Sequence, residues 1–330
     1  MEISFFDVLT TVFSLVVLLI PGFIMVKTKM LGEGADKVLS TVVLYVGQPL
    51  LILMGFQKAF ESRIAVNLLI TIALAVLVHA IVIVIMFLIV KNKSKNPKLD
   101  SLKYATIFGN CGYMGIPFIQ TLYQNTGALQ SEMLIYCAGV VLVFNILNWT
   151  VGVFIYAHDK KVLSIKKILI NPNIIAAVLG FLMFIIVKVP MVDWAQSGSN
   201  LDMFFEKLSS SLYSVANLVT PLSMFVIGMK LANVSPKRLF TEKWAYVLCL
   251  NKLVGVSLLT ILIVAILPVS LEVKCAIFFL LSMPAATSTA LFAVNFGGDG
   301  ETASIMVLLS TVLSIITISL MFLLFRTIVM

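Results

Sequence analysis

Apolar runs of about twenty residues recur from one end of the chain to the other, and they constrain the fold more than any other feature. A helix of that length crosses the ~30 Å hydrocarbon core of a lipid bilayer. The chain is 61% hydrophobic and only 12% charged, and its mean hydropathy is +1.10. These values predict an all-α polytopic membrane protein with no soluble domain.

The apolar pattern predicts ten membrane-spanning helices, called segments one to ten in chain order. The segments run over about Phe5–Val26, Val38–Phe56, Ile64–Val90, Tyr104–Tyr123, Met133–Ala157, Asn171–Val189, Leu208–Leu231, Trp244–Leu267, Cys275–Phe296 and Ala303–Ile328. The start of the chain, Met1 to Ser4, has neither a basic region nor a small-residue cleavage site. We therefore expect no cleaved signal peptide.

Lysine and arginine residues are distributed unequally between the two sides of the membrane. Sixteen lie in the loops that follow segments one, three, five and seven, whereas six lie on the opposite side. Because positive loops face the cytoplasm, we expect both chain termini to be extracytoplasmic, in the plasma membrane. The formal net charge of +8 is then an orientation signal and not evidence of a nucleic-acid partner.

An odd number of segments in each half gives the two halves opposite orientations in the membrane. Residues 1–157 would form a first five-helix repeat and residues 171–330 a second, inverted one, joined by a short cytoplasmic linker at 158–170. Residue matches support this interpretation. Gln48 before Pro49 in segment two corresponds to Thr220 before Pro221 in segment seven. Likewise, His79 in segment three corresponds to Lys252 in segment eight.

Two short stretches interrupt the helical pattern at corresponding places in the two halves. The first motif, Gly109 to Pro117 in segment four, contains three glycines and a proline, and we expect a half-helix to begin near Pro117. The second motif, Ser282 to Thr289, lies in segment nine. There we expect Ser282 to cap a half-helix that has Pro284 in its first turn. A single break is commonly a packing kink, but paired breaks indicate the binding site of a transporter.

The candidate substrate-binding residues surround these breaks. They are Gln48, His79, Asn110, Cys111, Gly112, Tyr113, Gly115, Pro117, Lys252, Ser282, Met283, Pro284, Thr287 and Ser288. The partial positive charge of a half-helix N-terminus, together with neutral polar side chains, suits an anion such as an organic carboxylate. No acidic residue lies at mid-span, where cation pumps typically place one.

Several of these side chains have an alternative interpretation. Lys252 either balances the charge of an anionic substrate or extends to the cytoplasmic interface. His79 either carries a proton or is a buried structural histidine. The polar groups near the breaks either contact a ligand or bond neighbouring helices. The four cysteines have no metal-ligand spacing, so we predict no metal site, and no catalytic constellation is evident.

The ten segments and the two motifs resemble the auxin efflux carrier family, which includes plant PIN-formed auxin exporters and bacterial permeases for malate or malonate. The resemblance covers essentially the whole chain and is most specific at Asn110, Gly112, Gly115 and Pro117. It implies the inverted-repeat fold of sodium/bile-acid symporters and sodium/proton antiporters, in which segments four and nine are broken crossover helices. It also implies a homodimer with a scaffold of segments one, two, six and seven, and an elevator-type movement of the other segments. The short linker is similar to that of compact prokaryotic members.

These observations predict a secondary active or facilitative transporter of a small organic anion, either a carboxylate such as malate or malonate or an auxin-like compound. The sequence contains no ATP-binding motif, so the driving force would be an ion gradient, the membrane potential or the substrate's own gradient. No cofactor is predicted beyond a coupling Na⁺ or H⁺. The alternatives are a sodium- or proton-coupled carrier of the same fold for a different solute, an intramembrane enzyme, and a membrane sensor without transport.

Overall fold

A computed structural model describes residues 3–91, 96–158, 165–195 and 197–330. Within these ranges the chain is helical and contains no β-strand. Some residues used in the charge and linker arguments lie outside the described residues. They are Glu2, Lys93, Lys95, Lys160, Lys161 and positions 159–164 of the linker.

Eight of the described helices are long and apolar enough to cross a membrane. They are Phe5–Lys27, Ala35–Gly55, Ser62–Ile89, Ala128–Ala157, Pro172–Asp193, Asn200–Ala232, Lys243–Ile266 and Gly300–Val329. They coincide with segments one, two, three, five, six, seven, eight and ten, which confirms the all-helical, polytopic prediction. Segment seven begins eight residues earlier than expected, because Ser199 caps a polar helical turn that hydropathy does not detect.

Segments four and nine are each divided into two helical pieces. Segment four consists of the α-helix Pro97–Ile107, a three-residue break at 108–110, and a second helical piece. This piece starts with a π-helical turn at Cys111–Gly115, called the wide turn, and continues as the α-helix Ile116–Leu122. Segment nine consists of Leu271–Leu281, a break at 282–287 and Ser288–Asn295. These two interruptions, called the first and second breaks, overlap the two motifs in which the sequence predicts a loss of helix.

The half-helix after the first break starts with the wide turn at Cys111, and its α-helical part begins at Ile116 with Pro117 in the first turn, as expected. In the wide turn, the Gly115 N–H bonds the Asn110 carbonyl at 3.0 Å and the Ile116 N–H bonds the Cys111 carbonyl. These bonds reach back five residues instead of four. This altered register admits Pro117, which has no N–H and whose ring would crowd the carbonyl four residues before it in a regular helix.

The expectation that Ser282 is the N-cap of the half-helix after the second break is wrong. Ser282 ends the preceding helix, where its backbone N–H donates to the Phe278 carbonyl at 3.0 Å. The next helix begins at Ser288, and Pro284 therefore lies in the extended chain between the two helices. The reason is tertiary, since the backbone at Pro284 bonds to the first break and not to its own helix.

The divided segments are the most deeply buried parts of the chain. Residues 101–111 and 275–286 are buried without interruption. The undivided helices instead expose large apolar side chains along one face, including Leu88, Leu262 and Ile316. Because irregular backbone cannot face lipid, this burial is the condition under which both breaks are tolerated in a membrane.

The helices form two groups around the breaks. Segments one and two pack against segments six and seven, whereas segments three, five, eight and ten pack around the divided segments. The first part of segment one, Phe5–Val17, also packs against segments four and ten. The backbones of segments one and seven approach each other closely. There a Cβ placed on Gly22 would lie 2.2 Å from the Phe225 carbonyl oxygen, and one on Gly228 would lie 2.0 Å from the Leu19 carbonyl oxygen. Only glycine permits this contact.

Candidate functional site at the crossing of the two breaks

The two breaks lie against each other and pair through their backbones. The Asn110 N–H donates to the Pro284 carbonyl at 2.7 Å, and the Ala286 N–H donates to the Phe108 carbonyl at 2.9 Å. Gly109 and Ala285 thus form an isolated antiparallel bridge. Each break supplies the hydrogen-bonding groups that the other has lost from its helix, which satisfies the buried backbone.

Segment ten completes this arrangement through Ser310. Its side-chain oxygen accepts a hydrogen bond from the Ala285 N–H at 3.1 Å, and its hydroxyl donates to the Val307 carbonyl at 2.9 Å. Sequence reasoning missed Ser310, because a serine within an apolar helix commonly bonds only to its own helix.

We expect Ser310→Ala to lower the free energy of unfolding by about 1–2 kcal/mol, because the buried Ala285 N–H would lose its acceptor. Thermal unfolding of the purified protein in detergent measures the change. Ser304→Ala is the control, since the Ser304 hydroxyl bonds only the Gly300 carbonyl of its own helix among the described residues. Equal melting temperatures for the two variants would contradict the assigned role.

Lys252 lies directly beside the crossing. A Cβ placed on Gly109 would lie 3.1 Å from Lys252 Nζ and 3.3 Å from the Met283 carbonyl oxygen. The side chain is completely buried, so Lys252 does not extend to the cytoplasmic interface, and that alternative is wrong. Its backbone belongs to another π-helical stretch, Leu250–Val256, and such distortions are frequent at functional sites.

Three buried side-chain groups around the crossing have no hydrogen-bond partner within the described residues. They are the Lys252 ammonium nitrogen, the Asn110 amide nitrogen and the Ser282 hydroxyl. Each of these groups can donate a hydrogen bond. Because an unpaired buried donor costs free energy, such a cluster is expected to face an acceptor.

His79 packs against Phe108 of the first break. Its Nδ1 is 2.7 Å from the Ala75 carbonyl oxygen, and its ring centroid is 6.4 Å from that of Phe108. Since a carbonyl only accepts, Nδ1 carries a hydrogen and donates to it. This bond orients the ring, which favours the interpretation of His79 as a buried structural histidine.

Gln48 reaches the first motif from segment two. A Cβ placed on Gly112 would lie 2.9 Å from Gln48 Nε2, so only glycine leaves room for the amide. The Gln48 side-chain oxygen accepts a hydrogen bond from Asn173 Nδ2 at 3.2 Å. Sequence analysis missed Asn173 because Asn171 and Pro172 already explained the helix start. Asn171 indeed caps that helix by accepting from the Asn173 N–H at 2.9 Å.

Other candidate residues lie near the crossing but have different contacts. The Tyr113 hydroxyl donates to the Ser40 carbonyl at 3.1 Å. Ser288 Oγ lies 2.9 Å from the Tyr104 hydroxyl oxygen, which is also hydrogen-bonded to Asn148 Oδ1. Gly115 gives space to the Met283 side chain, 3.4 Å from a Cβ placed there. Cys111 is buried at the start of the wide turn. Pro117 lies further along its half-helix, and Thr287 is half-buried just before Ser288.

An apolar cavity of about 110 Å³ lies next to the first motif. Its wall includes Met114, Leu15 of segment one, Met224 of segment seven and Leu308 of segment ten. The cavity therefore lies where the two groups of helices meet. Its lining suits an aliphatic or ring group and supplies little for a charged one.

Comparison with known proteins identifies the family of this chain. The family described as "Membrane transport protein" matches residues 7–322. The chain is also similar to an uncharacterized transporter of Methanocaldococcus jannaschii, with 22% identity over 309 residues that cover 92% of this chain and 94% of that protein. The chain therefore belongs to the membrane transport protein family, that of the auxin efflux carriers, and is a multi-pass transporter and not an enzyme.

Proposed function

We propose that this transporter carries a small organic anion, which binds where the two breaks cross. The observation that supports the proposal is the set of unpartnered buried donors on Lys252, Asn110 and Ser282. A carboxylate is an acceptor-only group with about four lone-pair sites, so it complements several donors at once. Hydrogen bonds to a charged group are also stronger than those between neutral groups.

The charge of Lys252 favours an anion over a neutral solute. A buried ammonium is stabilised only when it is paired, and no ion-pair partner of Lys252 lies among the described residues. The half-helix that begins at Cys111 adds the partial positive charge of its N-terminus, which directly follows Asn110. A bound carboxylate would provide the missing counter-charge in both respects.

The packing of the helices supports an alternating-access mechanism of the elevator type. In this proposal, segments one, two, six and seven form the scaffold, and the divided segments move with segments three, five, eight and ten. The repeats at 1–157 and 171–330 are inverted, and both termini are extracytoplasmic in the plasma membrane. The homodimer remains an expectation from the family resemblance.

Two measurements on the purified protein test this function. A thermal-shift screen of small carboxylates is expected to find an acid that raises the stability by about 2–3 kcal/mol at a hundred times its Kd. Counterflow of that acid, labelled, into proteoliposomes should then saturate. Repeating it with and without sodium and proton gradients identifies the coupling ion. If no carboxylate stabilises the protein or is exchanged, the proposed function is wrong.

A further inference from the structure

We propose that Gln48 and Asn173 form a second subsite that selects anions carrying a hydroxyl group. The inference rests on the proposed function and adds a specificity-determining residue, Asn173, to it. Both side chains are more than nine-tenths buried. They make a single hydrogen bond to each other, from Asn173 Nδ2 to Gln48 Oε1.

That bond satisfies only one of the two polar side-chain atoms of each residue. Gln48 Nε2 and Asn173 Oδ1 have no hydrogen-bond partner within the described residues. One unpartnered atom is a donor and the other is an acceptor. The conclusion does not depend on how the amides are oriented. If both were rotated by 180°, Gln48 would donate to Asn173, and one donor and one acceptor would again remain.

The neighbouring polar groups are already occupied. Asn171 Oδ1 accepts from the N–H groups of Asn173 and Ile174, and Asn171 Nδ2 donates to Asn145 Oδ1 at 3.1 Å. Asn145 Nδ2 in turn donates to the Val141 carbonyl at 2.8 Å. Among these four residues, as far as the described part of the chain shows, the unpartnered side-chain atoms are Gln48 Nε2 and Asn173 Oδ1, and Gln48 Nε2 lies against Gly112 of the first motif.

The position of Gln48 connects the Gln48–Asn173 pair to the anion site. Its amide nitrogen lies against Gly112, two residues after Asn110, whose own amide is one of the unpartnered donors at the crossing. Lys252 reaches the same stretch of backbone at Gly109. A substrate whose carboxylate binds Lys252 and Asn110 would extend along this backbone toward Gln48 and Asn173.

The chemistry of the pair defines the group that it binds. A carboxylate only accepts and an ammonium only donates, so each would leave one of the two atoms unpaired. A hydroxyl donates and accepts at once, so it can satisfy both atoms. Sites built to bond a hydroxyl discriminate strongly against analogues that lack it, because the buried polar groups are then left unpaired.

Binding of paired acids to the full-length protein in detergent, measured by isothermal titration calorimetry, tests the inference. The pairs are malate with succinate and lactate with propionate, which differ by one hydroxyl. For the pair that binds, we expect the hydroxy acid to bind at least about tenfold more tightly to the wild type. In Asn173→Leu this ratio should fall to about one, while the affinity for the acid without the hydroxyl stays the same. Gly112→Ala, whose methyl group displaces Gln48 Nε2, should reduce the ratio independently.

Asn67→Leu is the matched control, because Asn67 is an equally buried amide whose nitrogen bonds Ser270 at 3.2 Å, away from the crossing. It should keep the wild-type ratio. Equal affinities of the wild type for both members of a pair would overturn this inference alone, as would an equal loss of both affinities in Asn173→Leu. If none of the four acids binds the wild type, the proposed binding of small carboxylates fails, and the hydroxyl subsite fails with it.

Discussion

Lys252→Met is expected to lower the affinity for the transported anion at least about thirtyfold, because truncating one partner of a buried charge pair costs about 2–5 kcal/mol. Methionine keeps most of the length and the apolar stem of lysine, so the space beside Gly109 stays filled. Uptake into proteoliposomes at several substrate concentrations measures the change as a rise in KM or a loss of transport. The effect follows from the direct contact of the ammonium group with the crossing.

The stability of the same variant separates a binding role from a structural one. Replacing a buried charge that has no partner by an apolar side chain is expected to leave the melting temperature unchanged or to raise it. Lys103→Met is the control, because Lys103 is also largely buried but lies over the Phe87 ring at 5.1 Å, away from the unpartnered donors. Unchanged saturation kinetics in Lys252→Met would show that Lys252 takes no part in binding.

Gly228→Ala is expected to destabilise the protein by about 3 kcal/mol or more, the upper end of the usual cost of overpacking. The added methyl carbon would lie 2.0 Å from the Leu19 carbonyl oxygen. Backbone cannot move aside as a flexible side chain can, so segments one and seven would have to separate. Thermal unfolding in detergent and the yield of monodisperse protein measure this loss.

Gly255→Ala provides the comparison for this helix contact. Gly255 is also a glycine within a membrane helix, but a Cβ placed there meets only the Leu250 carbonyl oxygen, at 3.7 Å. This variant should melt at or slightly above the wild-type temperature, since alanine has the higher helix propensity. If Gly228→Ala melted at the same temperature as Gly255→Ala, the close packing of segments one and seven would be refuted.

Hydropathy predicted the helices because a membrane leaves few alternatives for an apolar run of twenty residues. The glycines and prolines of the two motifs likewise predicted the loss of helix at 108–110 and 282–287, since these residues disfavour regular helix wherever they occur. Both signals are local. They depend on the composition of a short stretch and not on what packs against it, which is why the sequence alone contained them.

The positions at which the half-helices begin depend on distant residues. Pro117 marked the α-helix that begins at Ile116, but not the wide turn that precedes it from Cys111. Ser282 appeared to be an N-cap, but the backbone beside it bonds the other break. Neither the five-residue reach of the turn nor the bond between Asn110 and Pro284 has a local sequence signal.

The candidate site stays a prediction, and the structure describes only where its members lie. The paired breaks drew attention to the first motif, and Lys252 and Gln48 lie beside Gly109 and Gly112 of that motif. The same argument could not decide where the Lys252 side chain points, because rotation of a helix about its axis is set by tertiary packing. It also missed Asn173, which bonds Gln48 125 positions earlier in the chain. Likewise it missed Ser310, which accepts from the Ala285 N–H 25 positions earlier.

The hydrogen bonds between the two breaks join main-chain atoms. They use no side-chain atom of Phe108, Asn110, Ala285 or Ala286, whereas contact with cargo depends on side chains such as the Asn110 amide. The framework that holds the crossing together is therefore chemically separate from the groups that select a solute. Substitutions that change a polar side chain around the crossing without enlarging it should alter selectivity while the crossing itself persists.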